Sequence, residues 1–258
     1  MKVVLLAGGF GTRLSEETHL KPKPMVEIGG MPIMWHIMKQ YSHHGFNDFI
    51  ICLGYKGDYI KEYFLNYYMK QSDITVDMST NKVEVHNSHS EPWKISLIDT
   101  GLHTMTGGRI KRIADYVDNS TFMLTYGDGV GNVDIKKLVE YHKGHGKDLT
   151  MTVVQPTGRF GRVVIDHGSD SVQDFVEKPS DSNTWINAGF FVCEPAVFAE
   201  IKDGDPTIWE RAPLEAITAK GQLQAYKHTG FWKPMDTLRD KNQLEKAWAS
   251  GEAPWKEW

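Results

Sequence analysis

The chain opens on Lys2-Val3-Val4-Leu5-Leu6-Ala7, a run with no polar position after the lysine, and the run ends at Gly8-Gly9. An unbroken apolar stretch of this length marks a strand covered on both faces, as in a parallel sheet. The same pattern returns in "FIICLG" at 49–54, "FMLTYGD" at 122–128 and "INAGFFVC" at 186–193. Between these runs the apolar positions switch to helical spacing. Met31, Met34, Trp35, Met38 and Tyr41 share one helical face, and Gly45 stands where such a helix stops. Helices are also predicted over 58–69, 109–117, 134–146, near 208–221 and from Thr237 to Ala249. Shorter strands are predicted at 74–78, 82–86, 94–99, 149–155, 162–166, 172–179 and 223–228.

Strand–helix alternation over the first two-thirds implies an α/β fold, a mainly parallel sheet with helices on both faces. The second half is richer in strands, and a small additional β region is expected beside the main sheet. No linker, repeat or low-complexity run divides the sequence, so it reads as a single domain over 1–258, with halves of about 1–130 and about 131–258. Ligands in such sheets bind outside the carboxyl ends of the strands. Gly8 to Arg13, Asp128 and Pro179 each follow a predicted strand and are expected on one rim.

Composition narrows the partners. A formal charge of −4 argues against a nucleic acid or a membrane surface. The two cysteines, Cys52 and Cys193, sit inside apolar runs and read as reduced core residues of a cytoplasmic protein. No stretch approaches the roughly 20 apolar residues of a membrane span. At 258 residues, folding buries roughly 70–75% of the unfolded surface, enough to need no staples.

The candidate chemistry begins at "GGFGTRL", residues 8–14. It lacks the Gly-Lys-Ser/Thr of a Walker loop, and Leu14 stands where a dinucleotide fingerprint needs a small residue. Glycines let the backbone turn sharply beside a ligand, their amides can cradle an anion, and Arg13 adds a planar guanidinium. "KPKPM" at 21–25 adds two lysines on a proline-stiffened segment, so Arg13 with either Lys21 or Lys23 can surround a polyphosphate. Asp128, between Gly127 and Gly129, can hold Mg2+, and Asp236 can join it or merely cap the last helix. Glu177 and Asn187 suit sugar hydroxyls, and Lys178 suits a monophosphate. Gly189 within a strand marks a close approach. The eleven histidines carry no metal signal, and the tail "APWKEW" reads as aromatic packing or a subunit contact.

The set "LAGGFGTRL…KPKPMVEIGG…TYGDG…VEKP…NAGFFV…PMDTLRD" closely resembles the sugar-nucleotide pyrophosphorylases, nucleotidyltransferases with a Rossmann-like mixed sheet. "FGTRLSEET", "EPWKISLIDTG", "MTGGRIKR" and "FWKPMDTLRD" narrow the resemblance to the cytidylyl-transferring branch over nearly the whole chain. It implies that CTP and α-D-glucose 1-phosphate give CDP-glucose and pyrophosphate with Mg2+, in a homo-oligomer feeding dideoxyhexose and O-antigen synthesis. It further implies that Gly8, Gly9, Gly11, Thr12 and Arg13 wrap the nucleotide phosphates, with Leu6, Ala7, Phe10, Thr104, Arg109 and Gly127 completing the nucleotide site. Lys23 lies between the substrate phosphates, Asp128 and Asp236 bind Mg2+, and Glu177, Lys178, Asn187 and Gly189 hold the sugar phosphate. "DTGLHTMTGGR" replaces the Gln-Pro-rich base-reading segment of the uridylyl and thymidylyl relatives, which favours cytosine and leaves Thr104 and Thr106 as alternative nucleotide contacts. The rival readings are a UTP- or dTTP-using relative, a regulatory homologue that binds sugar nucleotides without making them, and a nicotinamide-dependent oxidoreductase.

Overall fold

A computed structural model describes residues 1–156, 162–165, 172–176 and 184–258. Seven strands form the central sheet: β1 (Val3–Leu6), β2 (Asp48–Leu53), β3 (Lys94–Asp99), β4 (Phe122–Tyr126), β5 (Leu149–Val154), β6 (Ile186–Cys193) and β7 (Leu223–Lys227). Their order in space is β7-β5-β6-β4-β1-β2-β3. All neighbouring pairs are parallel except those made by β6, which runs antiparallel to both β5 and β4. The sheet is therefore mixed and mostly parallel, as the resemblance implied.

The unbroken apolar runs have the expected cause. Val3 and Leu5 face one core, with Ile37, Met38, Leu138 and Leu244, while Val4 faces a second core with Cys52, Leu124, Ile110 and Trp209. A strand buried on both sides has no solvent face to carry polar residues. The helices supply the covers: α1 (Ile33–His43), α2 (Gly57–Lys70), α3 (Thr106–Arg112), α4 (Ile135–His145), α5 (Ala212–Ala219) and α6 (Leu238–Ala249). Both cysteines are free and buried, and burial pushes the Cys52 thiol up to about 12. Among the described residues, no helix is long and apolar enough to cross a membrane.

Helix boundaries differ from the sequence pattern: Met31, expected on the face of α1, pairs instead in a short strand with Ile28, and α3 and α5 start elsewhere than predicted. α3 starts three residues earlier than predicted, at Thr106, because the Gly107 and Gly108 amides donate to the Thr207 carbonyl at 2.9 and 3.2 Å. It ends at Arg112, and Ala114–Val117 tightens into a 3-10 turn. α5 starts only at Ala212, with Pro213 in its first turn, where a missing amide costs nothing. The residues before it, including Glu210, stay outside the helix. The small additional β region consists of antiparallel strand pairs, Ser72–Asp77 with Lys82–Ser88 and Arg162–Ile165 with Val172–Val176. The predicted strand over 172–179 is described only as far as Val176; Glu177, Lys178 and Pro179 lie outside the described residues.

The tail packs inward. Trp255 is buried, stacked at 5.6 Å on Phe231 and facing Trp248. His36 lies beside it, donating from Nε2 to the Ile28 carbonyl at 2.8 Å and accepting the Trp255 indole N–H on Nδ1 at 3.4 Å. Burial holds the His36 pKa down at about 4, so the ring is neutral.

Candidate active site

The parallel register aligns strand ends: Leu6 of β1 lies opposite Cys52 of β2 and Tyr126 of β4. The chain leaves β1 through the glycine loop at this rim. Gly8 has no room for a side chain, since a Cβ there would stand 2.1 Å from the Arg109 guanidinium. Its carbonyl accepts both Arg109 and the Tyr55 amide. Among the described residues, the amides of Gly9 and Phe10 donate to no other residue, which suits an anion cradle.

Lys23 stands at the centre. Pro22 and Pro24 hold it in a short 3-10 turn, and its side chain is 9% exposed. The ammonium donates to Asp128 at 2.7 Å and to Asp236 at 2.8 Å. Arg13 reaches Asp236 from the solvent side at 2.9 Å, with 72% of its side chain exposed. Lys21 instead turns to Glu27 at 2.7 Å, so the geometry selects Lys23 from the two lysines. A local pairing brings the two carboxylates together. Gly129–Gly131 pairs antiparallel with Trp232–Pro234, and the Met235 amide donates to the Asp128 carbonyl at 2.8 Å. Asp236 is not the helix cap; Thr237 caps α6 and Asp240 completes the capping box.

Two cavities meet here. One, of about 530 Å3, is bordered by Leu6 to Arg13, Lys23, Leu102 to Thr106, Arg109, Tyr126 to Asp128 and Glu210. Every residue expected at the nucleotide site borders it, and both Thr104 and Thr106 are on its wall. The other, of about 910 Å3, is bordered by Gln155, Asn187, Gly189, Trp232, Lys233 and Asp236 among others. Arg13, Tyr126 and Asp128 border both. Of the residues expected at the sugar phosphate, Asn187 and Gly189 lie in this second cavity.

Arg109 is 4% exposed. Its Nη1 donates to the Leu53 carbonyl (2.9 Å), Thr100 Oγ1 (2.8 Å) and the Gly101 carbonyl (2.7 Å). Its Nη2 donates to the carbonyls of Gly8 (3.0 Å) and Leu102 (3.3 Å). The guanidinium thus ties the glycine loop to the end of β2 and to the opposite cavity wall. Burial lowers its pKa from the usual arginine range.

Sequence reasoning missed Glu210 and Tyr126. Tyr126 donates to Glu210 and accepts from Asn187 Nδ2 at 3.1 Å, while the Thr106 hydroxyl donates to Glu210 at 2.7 Å. Burial and the Glu210 charge raise the tyrosine pKa, so Tyr126 keeps its proton. Pro213 was the available signal: proline belongs in a first helical turn, which leaves Glu210 in the preceding loop.

A rim that joins an anion cradle to a lysine bridging two carboxylates suits phosphates with a divalent cation. A family model described as nucleotidyl transferase matches residues 2–240. The chain belongs to the nucleotidyl transferase family. This nucleotidyl transferase is 56% identical over 259 residues to the glucose-1-phosphate cytidylyltransferase of Salmonella typhi, covering 100% of both chains. It is 44% identical, again over 100% of both, to a probable glucose-1-phosphate cytidylyltransferase of Bacillus subtilis. Among solved structures it resembles HddC from Yersinia pseudotuberculosis, with a TM-score of 0.70 and 27% identity over 96% of this chain and 99% of that one. An apo UDP-glucose pyrophosphorylase shares the fold at a TM-score of 0.69 and 14% identity, covering 97% of this chain and 98% of that one.

Proposed function

We propose that this nucleotidyl transferase joins CTP and α-D-glucose 1-phosphate into CDP-glucose and pyrophosphate. The observation that carries the reading is Lys23, bridging Asp128 and Asp236 where the two cavities meet, with Arg13 beside it. The full-length similarity to glucose-1-phosphate cytidylyltransferases supports the choice of substrates. CTP occupies the cavity of the glycine loop, and the sugar phosphate enters the cavity of Asn187 and Gly189. Their phosphates face each other at Lys23 and Arg13.

A sugar 1-phosphate is mostly dianionic at neutral pH, since its second pKa is about 6. Its oxygen attacks the α-phosphorus and pyrophosphate leaves on the opposite side, so no general base is required. The task is to hold two anions together and neutralise charge, and such transfers are catalysed by positioning and electrostatics. Lys23 lies between the phosphates, Arg13 closes over them, and the glycine-loop amides orient the triphosphate.

The residues fit Mg2+. Asp128 and Asp236 come from separate segments yet converge on one ammonium, a pair of hard oxygen donors of the kind Mg2+ takes beside substrate phosphates. These two carboxylates would hold the ion, which neutralises phosphate charge when bound. The proposal extends to a cytoplasmic enzyme, which the free buried cysteines suit, and to a homo-oligomer, for which the exposed Val76, Met78 and Val83 of the 72–88 hairpin offer a contact.

A matrix of four nucleoside triphosphates against several sugar 1-phosphates, with and without Mg2+, tests the reading through pyrophosphate release. CTP with glucose 1-phosphate and Mg2+ is expected to be the fastest combination, and EDTA to abolish it. No pyrophosphate from that combination refutes the proposal.

A further inference from the structure

Resting on the reading that Asp128 and Asp236 hold Mg2+, we propose that Lys23 bars divalent ions from this carboxylate pair until substrate phosphates draw its ammonium away. The free protein then takes up the ion only together with a phosphate ligand. One exchange of partners lets the same side chain grip the phosphates and release the metal ligands.

The ammonium holds the two oxygens, from separate segments, that a bridging ion would take: Asp128 Oδ2 at 2.7 Å and Asp236 Oδ1 at 2.8 Å. Arg13 holds Asp236 Oδ2 at 2.9 Å. Two carboxylates thus face two cations, and the cluster is balanced in charge by the chain itself. A divalent ion entering alone must displace the ammonium and then stand beside the displaced charge. Lys23 is only 9% exposed there, so water screens that repulsion poorly. Little else compensates: among the described residues, no third carboxylate, histidine or cysteine joins the pair in a metal-holding group. Mg2+ gives up its water reluctantly and is usually held by one or two carboxylates with substrate phosphates beside them.

Phosphates reverse that balance. Lys23 and Arg13 both border the cavity of the glycine loop, where a triphosphate brings negative charge and strong acceptors to each of them. The base of the Lys23 side chain already lies against that loop, since a Cβ on Gly11 would stand 3.0 Å from Lys23 Cβ. Pro22 and Pro24 fix the backbone on either side. Beyond its Cβ the lysine stem is flexible, so the ammonium can turn from the carboxylates to the phosphates while the chain that carries it stays in place.

Mn2+ is the probe, and its uptake by nucleotide-free protein is read from the loss of the free-ion EPR signal. Lys23→Met is expected to bind one Mn2+ per chain at least about tenfold more tightly than wild type, the low end for a hydrogen bond to a charged group. The gain should vanish in Lys23→Met/Asp128→Asn, and Lys21→Met, whose partner is Glu27, should bind as wild type does. Equal affinity in wild type and Lys23→Met overturns the proposal. So does a gain that survives in the double variant, which would put the new site elsewhere. Should Lys23→Met fail to fold, the wild type decides: a nucleotide-free site lost in Asp128→Asn overturns the proposal, and a site that forms only with CTP present supports it. Uptake with CTP, read by water-proton relaxation, that Asp128→Asn leaves untouched overturns the metal reading itself, whatever the free protein does.

Discussion

Replacing Arg109 with methionine probes the buried guanidinium that joins the two walls of the nucleotide cavity. Five acceptors lose a donor, but they do not lose equally. The Leu53 carbonyl keeps the Thr100 amide at 3.0 Å and the Thr100 hydroxyl at 2.6 Å, and the Gly8 carbonyl keeps the Tyr55 amide at 3.1 Å. Thr100 Oγ1 still donates to Leu53. Leu102 is 46% exposed, so water replaces the arginine at its carbonyl. Gly101 is left as the main unsatisfied acceptor, at a cost of about 1–3 kcal/mol. Methionine also removes the desolvation cost of a buried cation, which places the net loss near 2 kcal/mol. In a chain of this size that is roughly 4–8 °C in Tm. Binding should suffer more than folding, because the glycine loop is no longer tied to the opposite wall. We expect CTP affinity by calorimetry to fall more than about tenfold, or 1.4 kcal/mol. Arg109→Lys keeps the charge but not the planar fork, and should recover little of either loss. Wild-type Tm together with wild-type CTP affinity refutes the clamp. Failure to fold refutes the accounting that leaves Leu53 and Gly8 satisfied.

Lys23→Met should lower turnover by about a hundredfold or more, roughly 2.7 kcal/mol, whereas Lys21→Met, whose partner is Glu27, should stay within about threefold in the same pyrophosphate assay. Asp128→Asn, nearly isosteric but uncharged, should abolish Mg2+-dependent turnover with an unchanged thermal melt; activity within about tenfold of wild type removes Asp128 from the metal site. Gly189→Ala puts a Cβ 2.6 Å from the Tyr126 ring at a backbone φ of +80°, and should cost about 1–3 kcal/mol in urea unfolding and raise the KM for glucose 1-phosphate. His36 has its folded pKa lowered from 6.5 to about 4, so between these values the unfolded chain binds the extra proton. Its stability contribution is whole above pH 6.5 and declines by about 3 kcal/mol as pH falls to 4. In His36→Gln, urea titrations over this window should show a shallower loss than wild type.

Much of this protein was legible without coordinates, because it is written in short windows. The apolar runs at Val3–Leu6 and Phe122–Tyr126 show strands buried on both faces, since burial on both faces suppresses alternation within a few residues. The glycine loop and the aspartate after β4 follow from position, because a parallel sheet puts ligands at its carboxyl rim. That is why the residues of the nucleotide site fall around one cavity. What the sequence left open depends on contacts between distant segments. Lys21 and Lys23 are two residues apart and chemically alike; only the pairing of Gly129–Gly131 with Trp232–Pro234, which carries Asp236 to Asp128, gives Lys23 its two partners. Arg109 opens the predicted helix over 109–117, and no window of sequence shows that carbonyls of Gly8 and Leu53 converge on it. Glu210 sits in a stretch whose apolar spacing resembles a helix, yet it reaches Thr106 and Tyr126 across more than 80 residues. Local periodicity records burial, which acts on every residue of an element alike. Hydrogen-bond partners are chosen by the closing of the sheet, and that is decided only in three dimensions.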